Sequence, residues 1–209
     1  MKFENTSVMN FEGAFRGMRN PKDSWHMSDS WTDESGYHIG EKDMDLAHRL
    51  IAAGSEHRKF MRQIFVSVDI KAPLYWWKEM DTYKIGTTSN SCSTMHKLTA
   101  YPITLESFET DDYHPELLDF SGFIDMLEVM RQAYLKTKNP LVWKELVRWL
   151  PSSWLQKRTY TMTYEHLYRI VRQREFHKLS EWHRFIDWVH TLPYAEELIF
   201  YEGESPWPQ

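Results

Sequence analysis

The 209-residue sequence predicts an α+β fold: a small, mainly antiparallel sheet packed with helices, and a helix-rich C-terminal half. Three observations carry this. The run "QIFVSVDIK" alternates apolar and polar residues at the period of a strand. Several other segments repeat apolar residues at three-and-four spacing. The strand signal lies in the first half of the chain and the helical signal dominates the second.

Taken in order, "VMNFEGAFRGMRNPKDSW" reads as a short strand or helix start with a turn at Asn20-Pro21, and the polar stretch to about Gly40 reads as a surface loop. Met44, Leu46, Ala47, Leu50 and Ile51 then recur as on one face of a helix, with Gly54 placed to cap its C-terminus. In the strand that follows, Ile64, Val66, Val68 and Ile70 alternate with Phe65, Ser67 and Asp69. After it, "LYWWKEMDTYKI" is a helix started by Pro73, leading into a polar loop through Ser89-Asn90-Ser91. "HPELLDFSGFIDMLEVMRQAYLKTK" lines up Leu117, Phe120, Ile124, Leu127, Met130 and Tyr134, and "NPLVWKELVRWLP" lines up Leu141, Leu146, Val147 and Leu150, so both are helices. "TYEHLYRIVRQREF" and "SEWHRFIDWVHTL" supply two more, while "RTYTMTY" is extended or a tight connection. The length fits a single domain over 1–209, with 202–209 a frayed tail.

Composition narrows the function. Hydrophobic residues at 42% and charged residues at 26% are globular proportions, and 10 Trp, 11 Tyr and 11 Phe point to an aromatic core or subunit interface. A net charge of −5 argues against a nucleic acid polymer as partner, yet leaves room for a basic pocket around one phosphate. The lone Cys92 excludes an internal disulfide and a multi-cysteine zinc site, and fits the reducing cytoplasm. The first residues lack a signal-peptide pattern, and no apolar run approaches the roughly 18 residues of a membrane span, so no membrane partner is expected.

Three clusters compete as sites. The basic one comprises Arg16, Arg19, Lys84, Lys157, Arg158, Arg172 and Arg174, since arginine forks bind oxyanions through paired hydrogen bonds; taken singly, each is more often a solvated surface charge or half of a weak ion pair. Seven Ser/Thr residues around Asn90 and Cys92 offer hydroxyls to a sugar or phosphate, but Ser, Thr and Asn also fill turns. His177, His183 and His190 with Glu181 are too widely spaced for a zinc site on one helix. No P-loop, GxGxxG or GxSxG element is present.

Lys71-Ala72-Pro73 and its surroundings resemble the flavin-dependent thymidylate synthases, a family with a strand, K-A-P, a helix leading into R-H-R, and then N-E-x-S-x-R-Y. Thr82-Tyr83-Lys84 falls on R-H-R, keeping a positive charge only at the last place. With one inserted residue, Asn90 and Ser93 fall on the Asn and Ser of the second motif, and Met95 and His96 on its Arg and Tyr; without the insertion Cys92 takes the serine place. Upstream, Glu56 and Phe60 match the family's G-H-E-x-P-F-x-H turn. Downstream, "LPSSWLQKRTYTMTYEHLYRIVRQR" is similar to its L-P-x-x-x-x-T-R-F-x-W-T segment and following helix, with Lys157 or Arg158 standing for one arginine and Arg174 for another. The similarity spans roughly residues 40–195.

The resemblance implies a divergent enzyme that transfers a one-carbon unit to a dUMP-like pyrimidine deoxynucleotide with reduced flavin. FAD would be buried in a homotetramer, with methylenetetrahydrofolate and NADPH as co-substrates. It assigns Glu79, Asn90, Ser93, Lys157, Arg158 and Arg174 to the nucleotide, Ser93 being also the catalytic candidate, and Thr82, Tyr83, Lys84, Glu56 and His96 to the flavin. Glu79 stands where the family has Gln, and a carboxylate that only accepts hydrogen bonds suits a ligand offering an amino group. The alternative is a non-catalytic nucleotide-binding or interaction protein on the same scaffold.

Overall fold

The computed structural model describes residues 1–111 and 113–203, so the last six residues of the expected frayed tail lie outside it. Its elements, in order, are β1 (Lys2–Met9), α1 (Phe11–Arg19), β2 (Trp31–Asp33), β3 (Gly36–His38), α2 (Glu41–Ala52), β4 (Phe65–Pro73), α3 (Leu74–Met80), β5 (Thr88–Ser91) and α4 (Thr94–Lys97). There follow α5 (Ser121–Thr137), α6 (Pro140–Arg148), β6 (Leu155–Thr163), α7 (Tyr164–Arg174), α8 (Ser180–His190) and α9 (Ala195–Leu198). The class is α+β with a small antiparallel sheet, as the sequence predicts. The strand order is β1-β4-β6-β5, and β2 and β3 form a separate antiparallel pair. In β4 the alternation is realised: Val66, Val68, Ile70 and Ala72 are buried and Phe65 is exposed. Among the described residues no helix is long and apolar enough to cross a membrane.

The chain divides into two compact units whose boundaries fall within β1, β4, β5 and β6 and after Lys84. One comprises 1–4, 69–84 and 89–159. Its core joins Leu98, Ile103 and Phe108 to Leu127 of α5 and Leu146 of α6. The two helices pack as a hairpin because Lys138 turns the chain at φ 52° and Asn139 caps α6 by accepting from the Leu141 N–H at 2.9 Å, ahead of Pro140. Glu128 of α5 accepts from Arg131 through two bonds of 2.7 Å and from the Ile103 N–H at 2.7 Å, tying the loop before α5 to the helix. The Arg131 bonds, working against the desolvation of the carboxyl, lower the Glu128 pKa to about 2.

The other unit comprises, among the described residues, 5–68, 85–88 and 160–203. α1, α2, α7 and α8 contribute Phe15, Ala47, Leu167, Ile170, Trp182 and Phe185 to its core. α2 ends as expected, with Gly54 at φ +107°. α7 starts where Thr163 forms a capping box with His166. Buried Asp43 accepts from Arg19 Nε and from the Ser28 and Ser30 hydroxyls, each at 2.5 Å. Burial opposes ionisation of Asp43, but these bonds outweigh it and hold the carboxyl below the usual range. Arg172 lies 3.4 Å from the Tyr168 ring centre and donates to the carbonyls of Ile199 at 2.7 Å and Tyr201 at 2.9 Å. Its burial pulls the guanidinium pKa down.

Four local expectations are corrected. The polar stretch before Gly40 holds the β2–β3 hairpin, because Asp33 accepts from the Ser35 N–H at 2.8 Å and Oγ at 2.6 Å while Trp31 stacks on His38 at 5.0 Å. Pro73 ends β4 and caps α3 rather than starting the helix, its ψ of 153° being extended. Leu117 and Phe120 are exposed and precede α5, whose first N–H, that of Ser121, is taken by Asp119 at 2.8 Å. Ser89, Asn90 and Ser91 are strand rather than loop, since β5 is held by main-chain pairing at the sheet edge and needs no apolar side chains.

Candidate functional site

Of the residues assigned to the nucleotide, Lys157 and Arg158 lie on β6 in the first unit, which also holds Glu79, Asn90 and Ser93. Successive side chains of a strand point to opposite faces, so Lys157 and Arg158 cannot grip one phosphate together. Lys157 Nζ lies 3.1 Å from carboxylates of both Glu4 and Asp69, and these hydrogen bonds raise its pKa. Thr159, two residues on, also bonds Asp69, at 2.6 Å. Arg158 faces the other way. Its guanidinium lies 4.2 Å above the Trp77 ring, donates from Nε to Gln156 Oε1 at 2.9 Å and from Nη1 to Asp81 Oδ1 at 2.7 Å.

Gln156 organises this face. Its backbone carbonyl accepts the Trp77 indole N–H at 3.0 Å, and its side-chain amide donates to the Cys92 carbonyl at 3.2 Å. The Cys92 N–H in turn donates to the Lys157 carbonyl at 2.8 Å, extending the β5–β6 edge toward Ser93. Trp77 and Asp81 reach one guanidinium because they are one helical turn apart. Asp81 opens the 3-10 turn Asp81–Tyr83, so Thr82, Tyr83 and Lys84 follow directly from the Arg158 contact.

Within that turn Thr82 Oγ1 donates to the Glu79 carbonyl at 2.7 Å, Tyr83 and Glu79 are half-buried, and Lys84 is exposed. Asn90 lies exposed on β5. Ser93 caps α4, its Oγ accepting the His96 N–H at 3.3 Å, and His96 itself is exposed. The structure therefore gathers Arg158 and the 79–84 segment directly, and joins the 90–96 segment to them through Gln156 and Cys92. Trp77, Asp81 and Gln156 were not singled out from sequence; the four-residue spacing of Trp77 and Asp81 was the available signal.

The remaining assignments fall in the second unit. Glu56 is exposed in the turn after α2. Arg174 ends α7 with its guanidinium 4.6 Å from the Trp182 ring centre. His166 Nδ1 accepts the Thr163 N–H at 3.2 Å, which leaves Nε2–H to donate to the Ile85 carbonyl at 2.8 Å. The residue after Lys84 is fixed by that bond. Of the basic cluster, Arg19 is buried against Asp43, and Arg16 is exposed beside Glu12 at 3.6 Å. A hollow of about 720 Å³ is lined by Asn10, Arg16, Tyr37, His38 and Tyr194, and one of about 340 Å³ by Arg58, Tyr168, Arg172 and Tyr201. Among the described residues no group of His, Cys, Asp and Glu is arranged to hold a metal ion.

Comparison with known families and with curated proteins finds no match to this sequence. Among solved structures, the chain is similar to a flavin-dependent thymidylate synthase of Helicobacter pylori complexed with FAD and dUMP, at TM-score 0.73 and 17% identity over 95% of this chain and 98% of that one. A second structure of that Helicobacter pylori enzyme with FAD and dUMP gives TM-score 0.74 and 18% identity, over 95% and 97%. At such identity it is the fold that is shared: the chain has a flavin-dependent thymidylate synthase-like fold.

Proposed function

We propose that this protein binds a dUMP-like pyrimidine deoxynucleotide and acts as a divergent flavin-dependent one-carbon transferase of the thymidylate synthase type. The Arg158 guanidinium carries the reading. It is backed by Trp77, oriented by Gln156, and sits beside the segment that resembles the family's ligand motifs. Arg158 takes the phosphate in preference to Lys157, whose charge is shared between Glu4 and Asp69. Asn90, Ser93 and Glu79 orient the nucleotide, Ser93 at the cost of its capping bond.

A bound reduced flavin would supply the hydride that reduces the transferred carbon, with methylenetetrahydrofolate as donor and NADPH as reductant. The residues here fit it in part. Lys84 offers one exposed cation and Tyr83 a ring, while the Thr82 hydroxyl is turned onto the Glu79 carbonyl; the exposed His96 is the further candidate in the same unit. That single cation favours a second reading, in which the nucleotide binds without flavin and without turnover. The first reading carries with it a cytoplasmic homotetramer.

The absorbance spectrum of the purified protein, before and after added FAD, and its melting temperature with dUMP separate these readings. A flavin spectrum with stabilisation by dUMP is expected, amounting to about 2.7 kcal/mol at a hundredfold excess over Kd. Stabilisation without flavin selects the second reading. A colourless protein that neither takes up FAD nor responds to dUMP overturns both.

A further inference from the structure

We infer that Asp81 is a built-in competitor of the ligand: its carboxylate holds the Arg158 guanidinium that a phosphoryl group must take, and binding exchanges one anion for the other. This rests on the assignment of Arg158 to the nucleotide phosphate. Carboxylate and phosphoryl oxygens accept from an arginine fork in the same geometry, and two anions on one guanidinium repel each other, so a phosphoryl group competes with Asp81 for Arg158.

The other arginine pairs show why this one can open. Where the arginine is as withdrawn as Arg158, the carboxylate is withdrawn too: Asp43 against Arg19 is 1% exposed, Glu165 against Arg58 7%, and Glu128 against Arg131 26%. Asp81 is 49% exposed, while the Arg158 side chain opposite it is 14% exposed. The guanidinium has two further restraints, the Trp77 ring at 4.2 Å and the Gln156 amide oxygen at 2.9 Å. The carboxylate therefore turns out into water while the arginine keeps its place, which makes Arg158 a preformed anion receptor closed by a removable stopper. Displacing a half-exposed carboxylate is a small penalty, so the device lowers affinity without abolishing it.

The test compares the full-length protein with Asp81→Asn, which keeps the side-chain volume and removes the charge. Glu4→Gln is the control, because Glu4 pairs with Lys157 on the opposite face of β6. Calorimetric titration with dUMP and phosphorus NMR titration with inorganic phosphate should each show binding about three- to tenfold tighter in Asp81→Asn, a gain absent from Glu4→Gln and lost in Asp81→Asn/Arg158→Gln. Deoxyuridine, which lacks the phosphoryl group, should bind the two proteins alike. If only inorganic phosphate shows the gain, the competitor role stands and the nucleotide reading falls. Phosphate binding that is unchanged, weaker or undetectable in Asp81→Asn overturns the inference, whatever dUMP does.

Discussion

Replacing Asp43 by Asn should be among the most damaging single changes in the chain. The carboxylate accepts from Arg19 Nε, Ser28 Oγ and Ser30 Oγ, each at 2.5 Å, and both it and Arg19 are almost fully buried. Asn keeps an acceptor oxygen but removes the charge, leaving a buried guanidinium without a counterion. Breaking such a pair costs about 3–5 kcal/mol. For a domain of this size each kcal/mol lowers the melting temperature by about 2–4 °C, so a drop of about 6–20 °C is expected in a thermal scan. Replacing both partners, as Arg19→Met/Asp43→Leu, removes the stranded charge, and the double variant should lose less than the two single changes summed. Since the folded Asp43 pKa is depressed, its stabilisation is complete above the ordinary aspartate value of about 3.9 and is lost as pH falls below that, toward the folded pKa. Asp43→Asn should therefore flatten the acid limb of the stability profile. A loss under about 1 kcal/mol in Asp43→Asn, or strict additivity in the double variant, would refute the reasoning.

Two further outcomes follow from the geometry. Glu128, with its pKa lowered to about 2, adds stability that is present above the ordinary glutamate value of 4.5 and disappears as pH falls toward 2, so Glu128→Gln should remove that acid-dependent loss in urea titrations run across this range. Gly86 sits at φ +78°, and a Cβ there would lie 3.0 Å from His166 Nε2, so Gly86→Ala should cost about 1–3 kcal/mol in urea unfolding; at Gly54, also at positive φ but with open space around it, the same change should cost less.

Much of the fold was legible in the sequence because β4 and the long helices bury one face each, and burial writes a period into the chain. β5 and the β2–β3 hairpin were not legible. Thr88–Ser91 is wholly exposed, so its strand character comes from a neighbour's backbone, and the hairpin is held by the Asp33–Ser35 bonds and the Trp31–His38 stack rather than by alternation. Leu117 and Phe120 fit the helical period by spacing alone, but Asp119 starts the helix after them. The candidate site was half legible. The charges at Lys157 and Arg158 were visible, but their opposite faces follow only once the segment is known to be a strand. Asp81 was not singled out, because nothing local indicates that a residue so far along the chain as Arg158 will reach it.

The clasp made by Arg172 also constrains the order in which the protein can be completed. Its acceptors, the carbonyls of Ile199 and Tyr201, lie 27 and 29 residues further along the chain. A ribosome delivers α7 before those acceptors exist, so the emerging helix carries a solvated guanidinium that cannot yet be sequestered. Closure of this part of the molecule is thus postponed until translation has passed Tyr201, and a nascent chain halted earlier would remain open there to chaperones and proteases.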